Sequence, residues 1–230
     1  MAVNSGPDSI VDDGLVFYVD PANKDSWDGP DASLVNDLVS TNTGSIVNDT
    51  SGSYGDNNSF AFDGTDDYID CGTGLGNSLG TVTSLSVSLW VKAPSTSIND
   101  FVFYIGDLSN NYGALTINIV VNKIRIRLND NAGNFYLNFT SNDWNNIVFV
   151  YDGSNQNNSL VYINGQLQTI GFSSLFPSSL NLSGLKTIIG TGYSTAYSFD
   201  GSLSNVFLYN KALSSQEVKQ NFNALKGRFI

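Results

Sequence analysis

The dipeptide Asn164-Gly165 constrains this chain more than any other two residues. It follows the apolar run Leu160–Ile163 and supplies the two positive-φ residues of a type I′ turn, the strongest short-range hairpin signal. The run before it, Trp144–Tyr151, carries Ile147, Phe149 and Tyr151 on one face and Trp144, Val148 and Val150 on the other. A strand that is apolar on both faces must be covered on both sides. Asp152–Ser159 between the two runs is polar and reads as a loop.

The rest of the chain extends the same pattern. Strands are expected at 14–19, 59–63, 67–71, 86–92, 101–105, 114–121, 123–128, 134–139, 186–190 and 201–209, with Val87, Leu89 and Val91 inward and Trp90 on the other face. Residues 20–53, 172–184 and 191–198 read as loops. Ser214 as N-cap with Glu217 three residues later predicts one helix, Ser215–Lys226, ended by Gly227. Leu213 and Val218 form its staple, and Val218, Phe222 and Leu225 share its inner face. Glycine is plentiful (22) and glutamate occurs once, which favours turns and strands over helices. A chain of 230 residues buries roughly 70–75% of its unfolded surface, so it needs no covalent staples. The fold class is therefore all-β: a two-sheet antiparallel jelly-roll sandwich with one short C-terminal helix. The domain is expected over 14–230, after an N-terminal arm at 1–13.

Charge and composition narrow the functions. Ten basic residues against twenty-one acidic ones give a net charge of −11, which argues against sequence-independent nucleic-acid binding. No apolar run approaches the roughly 20 residues that span a bilayer, so no membrane insertion is expected. The opening MAVNSGPDSIVDDG has neither a basic nor an apolar signal region, which predicts synthesis in a cytoplasm without a signal peptide. Cys71 is alone, so it forms no intrachain disulfide, and there is no histidine; Ser-His-Asp and Cys-His catalysis are thereby excluded.

The segments FDGTDDYI, SVSLWVK, WNNIVFVYDG with LVYINGQ, KTIIG, and FDGSLSNVFLYNKALSSQEV occur in that order. Together they resemble the laminin-G-like, concanavalin A-like jelly roll over nearly the whole chain, from about Gly14. GLVFYVDPANKDSW and ALSSQEVKQNFNALKGRF resemble laminin-G-like domains in structural proteins of tailed bacteriophages, cyanophages in particular. This resemblance implies a non-enzymatic virion structural protein, decorating a capsid or an appendage and displayed on the virion surface. Its expected partners are other virion subunits, including further copies of itself, and host surface glycans. The alternative is a lectin-like carbohydrate-binding domain; a glycan-active enzyme is third.

The residues permit several chemistries. Retaining glycosidases need two carboxyls about 5–5.5 Å apart. Related glycanases carry Glu-x-Asp-x-Glu on one strand, whereas the single Glu217 here sits at a helix start. Asp66 and Asp67, taken as strand neighbours, would point to opposite faces. No cofactor is required. One structural calcium is the ion the resemblance implies, with Asp20, Asp63, Asp66, Asp67 and Asp200 as candidate ligands; relatives read Ile-Asp-Glu where this chain has Leu203-Ser204-Asn205. Asn111, Tyr112, Tyr193 and Tyr197 are the candidate sugar-binding residues, since sugar sites place aromatic plates beside amides and carboxylates. Lys123, Arg125 and Arg127 alternate along one strand and share a face. They form a candidate interface, for which the acidic first quarter of a neighbouring subunit is a complement.

Overall fold

The computed structural model describes residues 9–48, 54–55, 57–94, 97, 99–109, 111–130, 133–155, 158–170 and 176–230. Two antiparallel sheets face each other. The first is built from β1 (Leu15–Val19), β4 (Tyr54–Gly55), β5 (Ser59–Asp63), β8 (Ser84–Lys92), β13 (Asn145–Asp152), β14 (Leu160–Ile163), β15 (Gln166–Leu167) and β18 (Asp200–Tyr209). Its order is β15-β14-β13-β8-β18-β5-β4, with β1 paired to β18. The second sheet contains β2 (Leu34–Asn36), β3 (Thr43–Val47), β6 (Tyr68–Asp70), β9 (Asp100–Asp107), β10 (Tyr112–Ile119), β11 (Lys123–Leu128), β12 (Gly133–Asn138) and β17 (Lys186–Ile189). Its order is β12-β11-β10-β9-β17-β6-β3-β2. A small ribbon pairs β7 (Thr81–Val82) with β16 (Leu180–Asn181). The two-sheet antiparallel sandwich expected from the pattern is the fold.

The inner faces meet in one apolar layer that includes Val87, Leu89 and Val91 of β8, Ile147, Phe149 and Tyr151 of β13, and Ile124, Ile126 and Leu128 of β11. The turn at Asn164-Gly165 has φ of 52° and 72°, and it closes β14 onto β15. The outer face of the first sheet is covered by α2 (Ser215–Phe229). Val148, Val150, Phe207 and Tyr209 pack there with Leu213 and Val218. Trp90 lies flat against Phe229, with ring centroids 4.3 Å apart.

Four expectations need correction. The helix does not stop at Gly227 but runs on to Phe229. Glycine in a helix costs about 1 kcal/mol, but here that is outweighed by burying Phe229 against Trp90 and Trp144 and by the bonds of Arg228. The loop at 20–53 contains the strands β2 and β3, which are too short and too polar to show a periodicity. A second, six-residue helix, α1 (Gly74–Leu79), precedes β7. Finally, the loop expected at 172–184 contains β16. The described part of the N-terminal arm is docked. Val11 is buried, its N–H donates to Asn221 Oδ1 at 2.8 Å, and its carbonyl accepts from Tyr209 Oη. Residues 1–8 of that arm lie outside the described residues.

Candidate functional site

With α2 over the first sheet, the outer face of the second sheet is where the chemistry collects. A β-bulge opens this face. Ile117 pairs with Phe103 but Asn118 pairs with Phe101, so Val102 is the extra residue. The bulge re-aims the strand. Val102, Phe103 and Ile105 go to the core, while Phe101 and Tyr104 join Ile188 outside. The loop 191–198, which includes a 3-10 turn at Thr195–Tyr197, then lies over them. Tyr193 and Tyr197 stand 5.6 and 5.9 Å from the Phe101 ring and 5.3 Å from each other. A shallow cleft runs along one side of the loop, lined by Tyr68, Leu108, Ile188 and Tyr193. Burial, then the hydrogen bond with Tyr197, raises the pKa of Tyr193, so that phenol stays neutral near pH 7.

The same face carries the basic row. The alternation read from the sequence holds: Ile124, Ile126 and Leu128 are buried while Lys123 is exposed and Arg125 and Arg127 are half-buried. Arg125 lies over the Tyr136 ring and Arg127 over the Phe101 ring, each at 5.4 Å. Asn118, on the neighbouring strand opposite Arg125, is fully buried.

Of the sugar-binding candidates, the structure brings Tyr193 and Tyr197 together. It does not bring Asn111 and Tyr112 to them: Tyr112 packs against the inner core and its hydroxyl donates to Asn129 Oδ1 at 2.7 Å. Asn111 sits in the exposed turn before it with φ of 62°.

The acidic candidates divide as well. Asp66 and Asp67 are in a turn, not on a strand, so they do not diverge. Their carboxylates converge with that of Asp63 to within 4.8 Å. Asp63 Oδ1 accepts the Thr65 N–H, and Asp67 Oδ2 accepts the Asp63 N–H. Asp200 pairs with Asp63 across the β5–β18 register. Asp63, Asp100 and Asp200 line an open cleft on the far side of the tyrosine loop, with Tyr197 as a wall. Partial desolvation, then the charges of Asp100 and Asp63, raise the Asp200 carboxyl. Asp20 lies apart from this group. It is ion-paired with Arg228 at 2.7 Å and accepts from Tyr18 Oη. Arg228 also donates to Ser204 Oγ and Asn205 Oδ1, so Ser204 and Asn205 serve the helix anchor.

Two further reactive groups are engaged. Glu217 gives Oε2 to the capping box and Oε1 to Lys211. Burial, then Asp70 and Asp37, push the Cys71 thiol up to about 12, so it is inert as a nucleophile.

Phe101, Tyr104, Asp100, Asn118 and Arg228 were not singled out from sequence. Asn118 did carry a signal: with Thr116 it is a polar alternate in an otherwise apolar run, TINIV.

Residues 63–219 match the concanavalin A-like lectin/glucanases superfamily. No curated protein matches the chain. Among solved structures, Trypanosoma rangeli sialidase in complex with a difluorinated 2-keto-3-deoxynononic acid is similar, with a TM-score of 0.68 and 15% identity. The similarity covers 99% of this chain and 36% of the sialidase, so the chain spans about a third of that protein's length. The binding domain of botulinum neurotoxin DC, in complex with SialylT, is also similar, with a TM-score of 0.60 and 15% identity over 94% of this chain and 52% of that one. At such identities the likeness is one of fold.

Proposed function

Because the chain belongs to the concanavalin A-like lectin/glucanases superfamily, we propose that it is a non-enzymatic contact module that binds glycans on the outer face of its second sheet. One observation carries this reading. Tyr193 and Tyr197 stand over Phe101 on the face that α2 leaves open. Aromatic rings beside amide and guanidinium groups offer a sugar both a stacking surface and hydrogen bonds. The lectin-like fold and the glycan complexes of the sialidase and the neurotoxin domain support the same class of ligand.

The setting is the surface of a tailed-phage virion, as a capsid or appendage decoration facing host glycans. The likeness of the opening and closing segments to phage structural proteins supports it. Many copies per particle make weak single sites sufficient. Calcium belongs to this reading as a structural ion. The three converging carboxylates of Asp63, Asp66 and Asp67 are all hard oxygen donors, of the type such an ion takes. They would hold the turn between β5 and β6 beside the tyrosine loop.

The experiment is a glycan array with the full chain and with Tyr193→Ala and Tyr197→Ala. Binding that both variants abolish supports the reading; binding that neither variant changes removes it. Electron microscopy of antibody-labelled particles tests the virion setting. A hydrolase is the second reading, and the raised Asp200 beside Asp63 in a cleft is what favours it. Release of reducing ends from a polysaccharide, lost in Asp200→Asn, would establish it.

A further inference from the structure

Resting on that glycan-binding reading, we propose that the face selects sugars that carry a carboxylate, and that Arg125 and Arg127 hold it. Each guanidinium is fixed by its Nε, and no acceptor among the described residues takes the nitrogens at its end. Arg125 Nε donates to Asn134 Oδ1 and Arg127 Nε donates to Thr116 Oγ1, both at 3.1 Å. The rings of Tyr136 and Phe101 support their flat faces. No carboxylate among the described residues pairs with either one. The nearby Asp130 offers Oδ1 to the Gly113 N–H. Two oriented, unpaired Nη forks thus lie side by side, and such a fork matches the two oxygens of a planar carboxylate.

Charge and hydrogen bonding point the same way. The molecule carries a net charge of −11, so its general field repels anions and only a local pair of cations can hold one. Beneath the pair, Asn118 is fully buried, and among the described residues neither its amide oxygen nor its nitrogen has a hydrogen-bond partner. Buried amides are nearly always satisfied. In register with Arg125 on one side and Phe101 on the other, Asn118 sets a polar amide in the sheet beneath the basic pair. Tyr193 borders the forks closely enough to feel both positive charges, which places a stacking ring beside the carboxylate position. A neutral sugar would leave the forks unpaired, and that is the basis of selectivity.

The competing occupant is the acidic first quarter of a second copy. Three of its carboxylates are already engaged within their own chain: Asp13 with Lys211, Asp20 with Arg228 and Asp37 with Ser40. A free sugar acid has no such tie.

The test is calorimetry on the full chain with two probes: an oligosaccharide ending in a sialic or uronic acid, and the same oligosaccharide with its carboxyl reduced to an alcohol. The acid form is expected to bind more than about tenfold tighter. Arg125→Gln and Arg127→Gln should abolish the difference. Arg125→Lys and Arg127→Lys keep the charge but lose the fork, so they should reduce the difference without lowering the melting temperature. Equal binding of the two probes overturns the carboxylate inference and leaves the glycan reading standing. Binding of neither overturns both. Self-association that the Arg→Gln variants remove, with no preference between probes, overturns the inference in favour of a contact between copies.

Discussion

At the residue scale, the acidic groups pull in opposite directions, and the signs are separable. Asp200 has its folded pKa raised by partial desolvation, then by Asp100 and Asp63. A carboxyl that binds its proton more tightly in the fold removes stability as pH rises through its folded pKa. Asp200→Asn is therefore expected to raise the melting temperature at pH 7 and to leave it unchanged below about pH 3, where the unfolded carboxyl is also protonated. Glu217 runs the other way. Burial alone would raise it, but its bonds to Lys211 and Ser214 outweigh burial and lower it. Its contribution is present above the unfolded value of about 4.3 and is lost as pH falls through the folded one. Thermal melts of wild type and Glu217→Gln should converge in acid and separate at neutral pH.

At the element scale, the C-terminal helix decides which sheet face is free. Trp90 lies between β8 and α2, stacked on both Phe222 and Phe229. Trp90→Ala is expected to cost about 3–5 kcal/mol, read by urea denaturation. Gly227 is within the helix, and a Cβ added there would meet nothing within 4 Å. Gly227→Ala should therefore stabilise by about 0.5–1 kcal/mol. Gly165 is the contrast: its φ is +72° and a Cβ would come within 2.9 Å of Phe222, so alanine there is expected to destabilise. The capping box at Ser214 and Glu217 was legible because it is written in four adjacent residues. The true helix end was not, because it is set by contacts with Trp90, Trp144 and Asp20, which are distant in sequence.

The same contrast holds for the whole molecule. Period-two alternation and the Asn164-Gly165 turn carried the strands and the sandwich, since both are local. The basic row was legible because β11 has no bulge. The aromatic part of the site was only half legible. Tyr193 and Tyr197 stood out in a Gly/Ser loop, but strict alternation would put Phe101 beside Phe103 and Ile105 in the core. Only the bulge at Val102 turns Phe101 outward to carry the loop. Asp66 and Asp67 were misjudged for the same kind of reason, since a turn does not alternate.

The central claim is that the molecule works by contact through this face. A crystal structure of the full chain with an oligosaccharide taken from its own array hits tests it most directly. The account predicts an uncut glycan lying over Tyr193 and Tyr197, with an acidic group at Arg125 and Arg127. A glycan seated on the α2 side, or one found cleaved between Asp63 and Asp200, would contradict it.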